Sequence, residues 1–188
     1  MLMANECSGD LRTAEAVLSN MASRRSVRSY EDREVPHEMV ERLLRAAMAA
    51  PSAKNRQPWE FVVVDERGIL DALAARLKYA KMLAQAPLAI IVCAETKIRH
   101  SDGSVTENPF WEHDASAATE NLLLAAEALG LGAVWTAASD PERSSAVKSV
   151  IDMPETVMPL CVVPIGFPAG EERPKDKWNP AKIHRNRW

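Results

Sequence analysis

Apolar residues near the start of the chain recur at helical intervals. Leu11, Ala14, Val17, Leu18 and Met21 predict a helix over Asp10–Met21, after a stretch Met1–Gly9 that carries no structural signal and reads as frayed. Met39, Val40, Leu43, Leu44 and Ala47 form one stripe, so Pro36–Ala50 is predicted as an amphipathic helix, with Pro36 at N1. The period then changes. Phe61-Val62-Val63-Val64 is short, continuous and β-branched, predicting a strand over Trp59–Asp65. Helical spacing returns through Ile69, Leu70, Leu73, Leu77 and Ala80, giving a helix over Gly68–Met82, and Pro87–Ala94 is an apolar run of strand length. Glu95–Phe110 has no period and contains Asp102-Gly103 and Asn108-Pro109, so it is expected to be a long loop near a binding site.

Trp111–Gly130 predicts the longest helix, with Glu112 and Asp114 at the positive end of its dipole and Gly130 just past its end. From Ala115 to Leu129 it is nearly apolar all round, broken by Thr119, Glu120, Asn121 and Glu127. Such a helix buries more than one face, and in a short chain a partner subunit is the simplest cover for the second. Gly132–Ala138 predicts a strand, Asp140-Pro141 opens a helix to Val150, and Val157–Ile165 is the last strand. Pro159 and Pro164 in that strand place it near an edge or sheet end. From Arg173 onward there is no period, only six Lys or Arg against one Asp, with Trp178 and Trp188. The organisation expected is a tail and first helix over 1–22, a core over 23–170 and an extended arm over 171–188, forming one domain.

Two prolines, Pro51 and Pro58, bracket the connection between the second helix and the first strand, restricting its entry and exit directions. Between them Ser52, Lys54, Asn55, Arg56 and Gln57 supply many donors. An ordinary helix-to-strand connection could look like this, and so could a loop that holds a polar, planar ligand.

Composition narrows the function. Hydrophobic residues are 47% and charged residues 26% of 188, as in globular proteins. A net charge of -3 and a pI near 5.9 give no overall attraction to nucleic acid or acidic membranes. That weighs against reading the basic, aromatic arm as a nucleic-acid contact. Ala86–Ala94, an uncharged apolar run, falls short of the roughly 20 residues a membrane helix needs. Glu6 and Asp10 interrupt any leader, and Cys7, Cys93 and Cys161 lack metal or redox spacing. A cytoplasmic protein is expected, with Cys93 and Cys161 as small core residues.

His37, His100, His113 and His184 are scattered without metal spacing, and no Gly-x-Ser-x-Gly elbow or Walker loop occurs. Gly130-Leu131-Gly132 follows a helix and precedes a strand, the reverse of a dinucleotide fingerprint. What remains is the donor-rich loop and two basic clusters, Arg24/Arg25/Arg28 and Lys175/Lys177. Alone, each cluster is also what a solvated surface shows. Converging, with Ser26 and Ser52 adding hydroxyls, they could neutralise one phosphate dianion.

Ser23-Arg-Arg-Ser-Val-Arg-Ser-Tyr30, followed by Ala49-Ala-Pro-Ser-Ala-Lys-Asn-Arg-Gln-Pro-Trp59, resembles the nitroreductase family of FMN-dependent oxidoreductases. Ala86-Pro87, the long apolar helix, Leu131 to Trp135, Pro164 to Pro168 and Lys175-Asp-Lys177 follow in that family's order. The resemblance implies an α+β, nitroreductase-like three-layer fold: a mixed, mainly antiparallel sheet flanked by helices, in a homodimer with domain-swapped C-terminal arms and FMN at the subunit interface. By the same resemblance Arg24, Arg25, Ser26 and Arg28 line the flavin's phosphate, ribityl and pyrimidine side. Pro51, Ser52, Ala53, Asn55 and Gln57 approach from the other subunit, and Lys175 and Lys177 hold the phosphate. Lys81, or else Lys78, reaches the O2/N1 edge, and Trp135, Thr136 and Ala137 face the ring.

The activity so implied is hydride transfer from NAD(P)H through flavin N5 to an electron-poor small-molecule acceptor, a nitroaromatic or quinone, by a ping-pong cycle. FMN carries the redox chemistry, so no catalytic side chain is needed. Phe110 and Trp111 are candidates for the acceptor pocket wall, or for core packing at a helix start. Flavin-fragmenting and dehalogenating relatives, and a flavin-binding module with little turnover, stay open as alternatives.

Overall fold

The computed structural model describes residues 11–188. The expected frayed segment, Asp10 and Cys7 lie outside the described residues. Helix α1 (Leu11–Ser23) follows the predicted spacing, yet none of its residues is buried. Asn20 ties it to the long helix by donating from Nδ2 to the Leu124 carbonyl at 3.0 Å. Helix α2 (His37–Met48) buries Val40, Leu43 and Ala47, three of one stripe, and Pro36 stands at its N-cap, one residue outside the predicted N1.

Strand β1 (Trp59–Val64) leads into α3 (Arg67–Arg76). The expected helix over 68–82 stops early because Leu77 turns extended. A separate 3-10 turn covers Lys81–Ala84, so Leu77 and Leu83 reach the same core from two pieces of chain. Strand β2 (Leu88–Glu95) is buried along nearly its full length, which explains its unbroken apolar run. The expected long loop contains a small hairpin instead, β3 (Lys97–Arg99) with β4 (Val105–Glu107). Its Asp102-Gly103 turn is closed by Asp102 Oδ1, which accepts from the Ser104 N–H at 2.9 Å, and Gly103 has φ of +85°. Three-residue strands are too short to show a period.

Helix α4 (Trp111–Ala128) is the longest helix, closed by Gly130 at φ +73°. The predicted strand over 132–138 is split into β5 (Gly132–Ala133) and β6 (Thr136–Ala137). Helix α5 (Pro141–Ile151) is capped by Asp140, whose Oδ1 accepts from the Arg143 N–H at 3.1 Å. Strand β7 (Val157–Gly166) completes the sheet.

The sheet runs β1-β2-β7-β5, with β6 also on β7, and every pairing is antiparallel. β7 is therefore internal, against the expectation of an edge. Its prolines survive there because each falls where the ladder is broken. Pro159 sits at the register shift opposite Val92/Cys93, and Pro164 lies opposite the gap between β5 and β6.

Alternation along β2 divides the core. Leu88, Ile90, Val92 and Ala94 pack with α2 and α4 on one face, while Ala89, Ile91 and Cys93 pack with α3 and α5 on the other. This is the expected three-layer α+β architecture. No helix among the described residues is long and apolar enough to cross a membrane.

Candidate functional site

The segment after α1 is fixed by its one apolar member. Val27 is fully buried, and its N–H donates to the Ala133 carbonyl at 3.0 Å while Ser26 bridges Ala133. Gly132 makes this approach possible: a Cβ there would lie 2.6 Å from Val27 Cγ1 and 2.7 Å from its Cβ. Tyr30 locks the other end, its hydroxyl donating toward the Val27 carbonyl at 2.8 Å, with the Pro164 carbonyl at 3.1 Å. Burial, reinforced by the charge of Glu172, raises its phenol well above the usual range.

With Val27 pointing inward, its neighbours face outward. Arg24, Arg25, Ser26 and Arg28 line a cavity of about 390 Å³ whose opposite wall is Glu172, Arg173, Lys175 and Lys177. Two basic clusters separated by most of the chain thus share one cavity. Helix α4 orients the first of them: Arg24 Nε lies 3.4 Å from Glu120 Oε1, and Arg25 Nη1 lies 2.7 Å from Glu127 Oε2. Arg25 Nε also donates to the Glu172 carbonyl at 3.1 Å, drawing the arm over the cavity.

The sequence reading missed these three glutamates. Glu120 and Glu127 are seven apart, hence on one helix face, and they interrupt an otherwise apolar helix; that was the available signal. Glu172 had none. It accepts from the Arg28 N–H at 3.2 Å, and its Oε2 is buried without a partner.

Trp135, Thr136 and Ala137 follow Ala133 along the sheet margin. Thr136 is buried, donating from Oγ1 to the Val162 carbonyl at 2.5 Å, while Trp135 is half-buried against the α2/α4 core and Ala137 is exposed.

The loop Pro51–Gln57 does not line the cavity; Asn55 and Gln57 border a separate groove. Its shape is set by Asp114 of α4, whose Oδ1 accepts from the Ala53 N–H at 2.8 Å, and by Ser52, whose Oγ accepts from the Gln57 N–H at 2.9 Å. Lys54, Asn55 and Gln57 hold φ of 56°, 52° and 51°, a left-handed backbone that asparagine tolerates and lysine and glutamine seldom adopt. Lys81 turns back instead onto α3, donating from Nζ to the Ala74 and Ala75 carbonyls at 2.8 and 3.3 Å. Lys78 Nζ lies 5.4 Å over the Tyr79 ring. Phe110 is exposed and edge-on to His113 at 6.0 Å, whereas Trp111 packs partly into the core.

The donor set suits a phosphate-bearing ligand. Arg28, Lys175 and Lys177 surround the cavity with no ion pair among the described residues, and Arg24 and Arg25 are held by carboxylates outside it. The class defined is a three-layer α+β fold with a basic cavity and a proline-framed donor loop. Comparison with known proteins then identifies the family. The nitroreductase family model matches residues 21–78 and 69–167, and the chain belongs to that family.

Among relatives, a Methanothermobacter thermautotrophicus protein provisionally named NADH dehydrogenase/NAD(P)H nitroreductase is 41% identical over 92% of this chain and 87% of its own. A crystal structure of a Bacteroides thetaiotaomicron protein with the same provisional name superposes with a TM-score of 0.84 at 48% identity, covering 92% and 98% of the two chains. A provisionally named nitroreductase from Desulfovibrio desulfuricans, solved in complex with FMN, gives 0.74 at 28% identity, covering 92% and 97%.

Proposed function

We propose that this chain is an FMN-dependent oxidoreductase of the cytoplasm, working as a homodimer. The observation that carries the reading is the shared cavity of Arg24, Arg25, Arg28, Lys175 and Lys177. Family membership and the FMN complex of a relative support it. Bound FMN would supply the redox chemistry, hydride transfer through N5 from NAD(P)H to an electron-poor acceptor, a nitroaromatic or quinone, in a ping-pong cycle.

The residues of this chain bind and orient. Lys175 and Lys177 give point charges to the phosphate, and Arg24 and Arg25 add planar guanidinium donors. Arg28 or Lys81 would hold the pyrimidine edge and stabilise negative charge there; for Lys81 this requires release from the α3 carbonyls. Ser52, Ala53, Asn55 and Gln57 act on the partner's site, while Trp135, Thr136 and Ala137 back the ring. Phe110, the exposed member of its pair, borders the acceptor space and Trp111 anchors it.

The purified protein is expected to be yellow, with about one FMN per chain, and to bleach on anaerobic addition of NADH or NADPH. Flavin that stays oxidised with both donors would reduce the reading to a flavin-holding module. A colourless protein that binds no added FMN would end it.

A further inference from the structure

A second charged concavity lies outside the cavity described above. It is a groove of about 480 Å³ between the loop Lys54–Pro58 and the β3–β4 hairpin. Lys54 and Arg56 face it from the loop, and Lys97 and Arg99 from β3. Being two residues apart on a strand, Lys97 and Arg99 project from one face of the hairpin. All four are exposed, and none makes an ion pair among the described residues. Glu60 and Glu95 also line the groove, and Glu107 stands across the hairpin from Lys97. Four cations against the two lining carboxylates leave an excess of positive charge in a chain whose total is -3. That excess is local, and it favours an anion there.

The position of the groove says which anion. Asn55 and Gln57, proposed to touch the flavin, also line it, so it starts where the flavin site ends. A reduced dinucleotide that lays its nicotinamide on the flavin must place its pyrophosphate and adenosine along the neighbouring surface. The loop side of the groove is preset, since hydrogen bonds to Asp114 and Ser52 hold its left-handed residues in place.

Resting on the oxidoreductase reading, we propose that this groove holds the phosphate-bearing adenosine half of the donor, with Lys97 and Arg99 recognising the 2′-phosphate, and that the enzyme prefers NADPH. A phosphomonoester brings close to two negative charges that NADH lacks, and charge-assisted contacts to it discriminate strongly.

The test uses the flavin-loaded protein and the double variant Lys97→Ala/Arg99→Ala, whose exposed sites leave the thermal midpoint within a degree or two as a control of folding. Calorimetry with 2′,5′-ADP and 5′-AMP reads the site without turnover. The wild type is expected to bind 2′,5′-ADP at least tenfold more tightly, the preference shrinking with added salt and disappearing in the variant. In steady state the ratio of kcat/KM for NADPH over NADH is expected to fall about tenfold in the variant, through KM. Equal binding of the two nucleotides by the wild type, or an unchanged NADPH/NADH ratio in the variant, overturns the proposal. Selective 2′,5′-ADP binding in a protein whose flavin neither donor bleaches supports the groove and overturns the oxidoreductase reading alone.

Discussion

Asp114 shows how one buried side chain shapes a loop. It is only 5% exposed, spends Oδ1 on the Ala53 N–H and leaves Oδ2 without a partner. Removing it in Asp114→Ala frees a backbone donor and should cost about 1.5–3 kcal/mol, the range for a hydrogen bond to a charged group. Urea denaturation is expected to show that loss together with weaker retention of FMN. If flavin affinity were unchanged, the loop would not depend on this anchor.

The two described cysteines make a different residue-scale prediction. Burial pushes both the Cys93 and Cys161 thiols up to about 12 from 9.0, with Glu60 adding to the effect at Cys93 and a contact to Thr119 opposing it at Cys161. Since the folded state holds these protons more tightly, their stabilising effect is complete below pH 9 and declines as pH rises toward 12. Each thiol contributes a slope of up to about 1.4 kcal/mol per pH unit in that window. Denaturation midpoints should therefore fall steadily above pH 9, and a thiol reagent at pH 8 should reach Cys93 and Cys161 only after unfolding.

At the scale of elements, the site depends on the contact between the Ser26–Val27 segment and β5. Gly132→Ala sets a methyl against Val27 Cβ, which the backbone fixes, so side-chain rotation cannot relieve the clash. The expected cost is about 1–3 kcal/mol, as for overpacking, with FMN affinity falling in parallel because the arginines shift with Val27. Urea titration and flavin fluorescence read the two effects. The same contact shows what was legible: Gly132 stood out in the sequence as part of a Gly-Leu-Gly pattern, but its neighbour Val27 is remote along the chain, and only folding joins them. Likewise Pro159 and Pro164 suggested an edge or sheet end, whereas they lie inside the sheet, Pro159 at the register shift with β2 and Pro164 opposite the interruption between β5 and β6.

The whole molecule leaves apolar surface uncovered. Leu11, Val17, Leu18 and Met21 of α1, with Trp178, Ile183 and Trp188 of the arm, are large and exposed in the single chain. The proposed homodimer would cover much of this area, and the donor loop, absent from the phosphate-type cavity of its own chain, would reach that of its partner. Sedimentation should give twice 20.7 kDa. Deleting residues 171–188 removes Lys175 and Lys177, so FMN retention should be lost, and the dimer should weaken where Trp178, Ile183 and Trp188 supply contact. A truncated protein that kept both flavin and dimer would exclude the arm from each role.

Periodicity and chemistry along the chain were enough for the five helices among the described residues, the main strands, the order of the family motifs and the two basic clusters, because each is written in nearby residues. Tertiary structure decided what depends on distant neighbours: that β7 is central, that Leu77 ends α3, that Glu172 stands among the arginines, and that Lys81 caps a helix. Local spacing fixes which face a residue shows, whereas its partner is chosen by packing, and packing brings together positions with no relation in sequence.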